Sequence, residues 1–209
     1  MRERRPMTNV ILASGSPRRR EILGALGVTF TVIKPDIDET QRPGENPYDY
    51  VARLSQEKAD AVAARLEGDR LVLAADTIVV VAADTIGVML DGDILGKPVD
   101  AADARAMLER LRGTMHVVCT AITLLKIDGA GSRRRTRLTR TQVIMRGYSD
   151  EEIASYIATG DPFDKAGGYA IQHEQFAPVA QIDGSYTNVV GLPVETLRVM
   201  LAEMGVAAG

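Results

Sequence analysis

The run LVLAADTIVVV at 71–81 limits what this chain can fold into more than any other segment. Its apolar and β-branched residues leave no polar face, so it reads as a strand buried on both sides, and such strands belong to sheets covered by helices. A carboxylate sits in the middle of it. Asp76 is costly there unless it is paired, hydrogen-bonded or bound to a cation, which makes it the first candidate for function. A membrane span is the other structure compatible with a run of this kind. Over 71–90, however, Asp76 and Asp84 would each cost roughly 2.5–3.5 kcal/mol at a helix centre, so buried strands are the better reading.

The rest of the pattern alternates helix and strand periods around that strand. Residues 9–13 form a short apolar run, followed by the turn Ser14-Gly15-Ser16-Pro17 and a helix with Ile22, Leu23 and Leu26 on one face, ended by Gly27. A strand at 28–33 and a polar, acidic loop at 35–47 lead into a helix over 47–66, with Val51, Leu54, Ala59, Val62 and Leu66 at helical spacing and Lys58 at a polar position. Asp91-Gly92-Asp93 marks a turn, and 100–111 a helix with an acidic first turn. Strands at 117–126 and 136–145, joined by a polar link at 128–135, predict an antiparallel hairpin. Ser149 caps a helix that carries Glu151 and Glu152 in its first turn and ends at Gly160. A loop at 164–168, a short strand at 169–172 and a terminal helix at 193–204 complete an α/β chain, a mixed central sheet flanked by helices. Composition does not break along it, so one domain is expected over 9–209, behind a flexible tail at 1–8 in which Met7 is a second candidate start.

Composition excludes several functions. Among 209 residues, 28 are acidic and 25 basic, for a net charge of −3, so the chain is not a globally basic nucleic-acid binder. Six Tyr, three Phe and no Trp supply no base-stacking platform. Arg133, Arg134, Arg135, Arg137 and Arg140 read as a solvated hairpin tip rather than a nucleic-acid surface. Cys119 is the single cysteine, which excludes an intramolecular disulfide and a Cys-based zinc site and points to a reducing, cytoplasmic compartment. The apolar start at 10–13 is shorter than the about 7–15 residues of a signal-peptide core, and no membrane attachment is expected.

Three sets of residues suggest chemistry. Ser14, Ser16, Arg18 and Arg19 lie between a strand and a helix, where free backbone N–H groups, the helix dipole, hydroxyls and guanidinium groups all favour a phosphate chain. Asp76, with Glu39 from the acidic loop, offers hard oxygen ligands suited to magnesium. Lys58 on its helix, Lys97 in Leu95-Gly96-Lys97-Pro98 and Lys165 in Asp164-Lys165-Ala166-Gly167-Gly168 form the third set, each weak in isolation because most lysines are merely solvated. Residues 92–98 are not a Walker loop, since the glycine spacing is short and Pro98 stands where Ser or Thr would hold magnesium. His116 and His173 read as structural, and no Gly-x-Ser-x-Gly elbow supports serine hydrolase chemistry.

Taken in order, Leu12-Ala13-Ser14-Gly15-Ser16-Pro17-Arg18-Arg19, Glu57-Lys58-Ala59, Ala75-Asp76-Thr77, Leu95-Gly96-Lys97-Pro98, Asp164-Lys165-Ala166-Gly167 with Ile171-Gln172, and Val190-Gly191-Leu192-Pro193 resemble the Maf family of nucleoside triphosphate pyrophosphatases. The resemblance runs from about Asn9 to the last helix. It implies a fold similar to inosine triphosphate pyrophosphatases, two lobes with a cleft, a homodimer, and magnesium, or manganese in its place. The implied reaction is nucleoside triphosphate plus water to monophosphate plus pyrophosphate, serving nucleotide-pool sanitation. Asp76 matches the family's catalytic carboxylate and metal ligand, and Glu39 a second acidic site position. Ser14, Arg18, Arg19, Lys58 and Lys97 match phosphate-binding positions, to which the sequence adds Ser16 and Lys165. Arg18, Thr77 and Gln172 match the subgroup acting on dTTP and UTP. Rival readings are the same chemistry on a modified nucleotide such as 7-methyl-GTP, or a nucleotide-binding regulator of cell division and septum formation. One departure from the family is visible: Ala75-Asp76-Thr77-Ile78 is echoed by Ala83-Asp84-Thr85-Ile86, and the apolar lead-in at 71–74 favours Asp76 over Asp84.

Overall fold

A computed structural model describes residues 10–81 and 93–206. Asp84, Thr85, the turn expected at 91–93 apart from Asp93, and the tail at 1–8 lie outside them. The chain runs through strand β1 (Val10–Ala13), helix α1 (Pro17–Ala25), β2 (Phe30–Val32), α2 (Pro47–Ala63), β3 (Arg70–Val81), β4 (Asp93–Leu95), α3 (Ala101–Leu111), β5 (Met115–Asp128), β6 (Gly131–Met145), α4 (Asp150–Ala158), β7 (Val179–Asp183), α5 (Tyr186–Val190) and α6 (Val194–Glu203). The sheet has the order β2-β1-β3-β5-β6-β7, with β4 also paired to β3. Its β1–β2 and β1–β3 pairings are parallel and the others antiparallel, which is the mixed α/β architecture the sequence predicts.

β3 is the axis of the molecule, and its alternation sorts the core into four clusters. Toward α1 and α6 it directs Leu71, Leu73 and Ala75, which pack with Leu23, Leu197 and Met200. Further along the same face, Val79 and Val81 meet Leu108, Leu111 and Tyr156. On the opposite face Val72 and Ala74 pack under Ala59 and Val62 of α2, and then Ile78 and Val80 under Val51. Both faces change cluster at the same place. The residues at that seam are Asp76 and Thr77, side by side in sequence and therefore on opposite faces of the sheet.

Helix starts follow their caps. Asp100 accepts from the Asp103 amide, and Ser149 and Glu152 form a reciprocal capping box at α4. α2 stops at Ala63, earlier than the apolar spacing suggests.

Three expectations need correction. The segment at 128–135 is strand rather than link, because a two-residue turn at Gly129-Ala130 lets β6 pair β5 from Gly131 onward. The arginines therefore lie along β6 and not at a tip; Arg134 pairs with Asp60 and Arg137 with Glu203, while Arg140 lies over the Tyr48 ring. Residues 169–172 are not a strand. They follow two 3₁₀ turns, Asp161–Asp164 and Ala166–Gly168, whose Gly167 and Gly168 adopt φ of +72° and +68°, a backbone that turns the chain out of a ladder. The last strand is instead β7, which pairs with β6. Lys58, finally, is buried and not on the solvated side of α2.

His116 is buried in a structural position, as expected, and so is Cys119. Cys119 is buried among Val51, Ile78 and Val80, and burial pushes its thiol up to about 12. The His116 ring is fully buried, with Nε2 at 2.8 Å from the Tyr169 hydroxyl, and burial pushes its pKa down to about 4. In the unfolded chain the ring protonates near its ordinary 6.5, so between these values the unfolded state binds more protons. Stability from this group is complete above pH 6.5 and falls as the pH drops toward 4, by about 3 kcal/mol in total. Urea unfolding at pH 7 and pH 5 should show His116→Gln losing most of this difference; an unchanged pH slope in the variant would contradict the assignment.

Candidate active site

The ladder leaves one opening along β3. β1 pairs with it as far as Ala13 opposite Ala74, and the antiparallel β4 reaches back only to Val79, opposite its last residue Leu95. Residues 75–78 are thus paired to β5 on one side and, among the described residues, open on the other. The opening lies beyond the carboxyl end of a parallel strand, the place where open α/β sheets form crevices. A cleft of about 530 Å³ occupies it, walled by the turn at 14–19, Glu39 and Tyr50, the segment at 94–97, residues 164–172, and 189–191.

On the α2 face of this gap, Lys58 Nζ lies 2.5 Å from Asp76 Oδ1 and 3.0 Å from Glu39 Oε1. Both Lys58 and Asp76 are almost fully buried, while Glu39 is half exposed. Burial pushes the Asp76 carboxyl above its usual range, against the pull of Lys58 and Arg19 and with a further upward push from Glu39. The acidic loop is tied to α2 so that Glu39 stays over the lysine. Tyr50 donates to the Glu39 carbonyl at 2.7 Å, and Arg53 grips both carboxylate oxygens of Glu45 at 2.6 and 2.7 Å and donates to the Thr40 carbonyl at 3.1 Å.

On the other face Arg19 connects three walls. Its Nε donates to the Gly191 carbonyl at 2.9 Å, Nη1 to Ser14 Oγ at 3.3 Å and Nη2 to Thr77 Oγ1 at 3.0 Å. Burial lowers the Arg19 pKa, and the Asp76 carboxylate opposes that shift. Ser14 Oγ also accepts from the Ser16 amide at 3.2 Å, so both lone pairs are engaged and its proton is the group left for a ligand. Ser16 is the N-cap of α1, accepting from the Arg19 amide. The turn thereby directs a hydroxyl donor and the first amides of α1 to the cleft, a combination that suits an anion.

Arg18 and Lys165 line the cleft but are engaged elsewhere. Arg18 Nη1 donates to Asp164 Oδ2 at 3.0 Å and Nη2 to the Asp164 carbonyl at 3.3 Å, bridging the mouth. Lys165 directs Nζ to the Asp161 carbonyl, Asp161 Oδ1 and Asp164 Oδ1 at 2.6, 2.9 and 2.6 Å, which uses its three N–H groups. Lys97 and Gln172 are exposed on the rim. Every expected site residue therefore borders one cleft. Sequence reasoning missed Tyr50, Asp161 and Thr120. Thr120 pairs across the ladder with Thr77, and only strand register could reveal it.

Six separated motifs thus converge on a single opening, and the family model described as Maf-like protein matches residues 9–204. The chain belongs to the Maf family. Relatives over nearly the full length include the dTTP/UTP pyrophosphatase of Citrifermentans bemidjiense, 47% identical over 92% of this chain and 96% of its own. That of Geobacter sulfurreducens is 48% identical over 90% and 95%. The Ham1 protein of Staphylococcus aureus superposes with a TM-score of 0.48 at 14% identity, covering 94% of this chain and 100% of its own, too loose a likeness to carry an argument. In this Maf chain the Lys58–Asp76 pair is the most demanding feature to bury. Removing one partner of a buried pair leaves an uncompensated charge. Lys58→Met should cost about 3–5 kcal/mol in urea unfolding, and adding Asp76→Asn should recover part of it. Additive losses in the two single variants and the double would show that the pair is not coupled.

Proposed function

We propose that this Maf protein hydrolyses dTTP and UTP to the nucleoside monophosphate and pyrophosphate. The observation that carries the reading is the placement of the Asp76 carboxylate, braced by Lys58, in the same opening as the anion-directed groups of Ser14, Arg19 and the α1 N-terminus. The names of the relatives supply the nucleotides. In this mechanism the triphosphate lies against the 14–19 turn, where Ser14 donates to it and Arg19 offsets its charge. Asp76 accepts the proton of a water that attacks the α-phosphorus. The bond from that phosphorus to the bridging oxygen breaks, and pyrophosphate leaves with the electron pair. Lys58 keeps Asp76 ionised and oriented, and Lys97 on the rim is placed to meet the outer phosphates.

The donor set fits magnesium. Asp76 and Glu39 are hard oxygen ligands that the Lys58 ammonium brings together through one carboxylate oxygen of each, and they would hold the ion, which takes its remaining ligands from water and phosphate. Bound there, it would supply Lewis-acid charge withdrawal from the phosphate oxygens. Arg18 and Lys165, joined through Asp164, act in this reading by shaping the mouth on the base side near Gln172. A single domain over 9–209, a homodimer and a cytoplasmic setting belong to the same proposal. Among the described residues, no helix is long and apolar enough to cross a membrane.

The test is pyrophosphate release from purified dTTP, UTP, CTP, GTP and 7-methyl-GTP, with magnesium and with a chelator. Metal-dependent release from dTTP and UTP, with the monophosphate as co-product, is expected. Preference for 7-methyl-GTP would keep the chemistry and reject the pyrimidine reading, whereas no release from any nucleotide would favour a binding regulator.

A further inference from the structure

Two hydroxyls flank the Arg19 guanidinium, and the hydrogen bonds around them give them opposite polarity. Ser14 accepts twice and keeps its proton, as described above. At Thr77 the chain of bonds runs the other way. Thr120 Oγ1 donates to the Asn188 carbonyl at 3.2 Å, which uses its only proton. The 2.9 Å contact between Thr77 Oγ1 and Thr120 Oγ1 is then donated by Thr77. Thr77 also receives the Arg19 Nη2 hydrogen bond. Its proton and one lone pair are engaged, and what is left is a single lone pair. Thr120 and Asn188 are both fully buried, so no solvent competes for this arrangement.

Thr77 lines the cleft, and the space beside its hydroxyl is kept open by Gly191. Gly191 sits at φ +119°, and a Cβ there would stand 3.6 Å from Thr77 Oγ1 and 3.8 Å from Arg19 Nε. At Thr77 Oγ1 itself a ligand meets an acceptor, with the Arg19 guanidinium as the donor beside it.

We infer that Thr120 is a positioning residue that sets the polarity of Thr77, and that the Thr77 lone pair accepts the N3–H of a uracil or thymine ring. This rests on the dTTP/UTP reading above and supplies its physical basis. Uracil and thymine carry an N–H at N3, whereas cytosine carries a lone pair at the same atom. Two lone pairs then face each other when CTP binds, and a buried polar mismatch of this kind is a strong discriminator. The methyl group that separates thymine from uracil lies at C5, away from N3, so the device accepts both.

The test compares kcat/KM for UTP and CTP in the wild type, Thr120→Val and Thr120→Ser. Valine preserves the shape of threonine and frees the Thr77 proton to turn into the cleft, where it can donate to cytosine N3. The Asn188 carbonyl keeps its bond from the Gly191 amide at 3.0 Å, so no carbonyl is orphaned by the change. The UTP:CTP ratio should fall by about tenfold or more in Thr120→Val, chiefly through a lower KM for CTP, and return in Thr120→Ser. A purely structural role for Thr120 would lower both activities and leave the ratio alone, and that result would overturn the inference. As a second measurement on the unaltered protein, UTP methylated at N3 should be refused while dTTP is turned over; equal turnover of N3-methylated UTP and UTP would also overturn it. A wild type that makes no distinction between UTP and CTP would instead reject the dTTP/UTP reading itself.

Discussion

The contact between Lys58 and Asp76 is the constraint around which the molecule is arranged. β3 is a strand that only a covered sheet can accommodate, and it carries a carboxylate at its centre. That group is tolerated for two reasons. The ladder is interrupted beside it, between the last residue of β1 and the last residue of β4, and α2 brings a buried ammonium to 2.5 Å. A buried ion pair is weak evidence for stability, because desolvation offsets much of the attraction. Its position at the opening along β3, within reach of anion-directed groups, is better evidence for chemistry.

The seam at 76–77 puts one short dipeptide on two faces of the sheet and in one cleft. Strand alternation sends Asp76 to the α2 face and Thr77 to the opposite face, while the open flank exposes both to one cleft. Arg19 spans the second face, linking the turn before α1, β3 and the segment after α5. The cations first suggested as phosphate ligands therefore fall into different roles. Arg19 and Lys58 organise the floor, Arg18 and Lys165 are held by Asp164 at the mouth, and Lys97 is exposed on the rim.

Much of the fold was legible in the sequence wherever burial leaves a periodic trace. The two-faced apolar run of β3, the capped starts of α3 and α4, and the strand-turn-helix at 10–25 were all readable, and Asp76, Ser14 and Arg19, grouped from sequence, line one cleft. The failures have physical causes. The outer part of β6 carries Arg133 to Arg140 on an edge, where backbone pairing and surface ion pairs replace apolar alternation. β7 is largely exposed and leaves no stronger trace. Lys58 looked solvated because its partner is 18 residues away on another element. Thr120 could not be singled out before the register of β5 against β3 was known. The repeat of Ala-Asp-Thr-Ile at 75–78 and 83–86 left two candidate aspartates; Asp76 lies at the floor of the cleft, and Asp84 lies outside the described residues.

The reaction proposed for this protein depends on the carboxylate paired with Lys58, so the two aspartates provide its most direct test. Turnover of UTP with magnesium should be measured for Asp76→Asn and Asp84→Asn side by side, together with UTP binding by each. The account predicts that Asp76→Asn binds the nucleotide yet loses at least about a hundredfold in kcat, the scale of a missing proton acceptor or metal ligand, while Asp84→Asn turns over as the wild type does. Full activity in Asp76→Asn, or a collapse confined to Asp84→Asn, would contradict it.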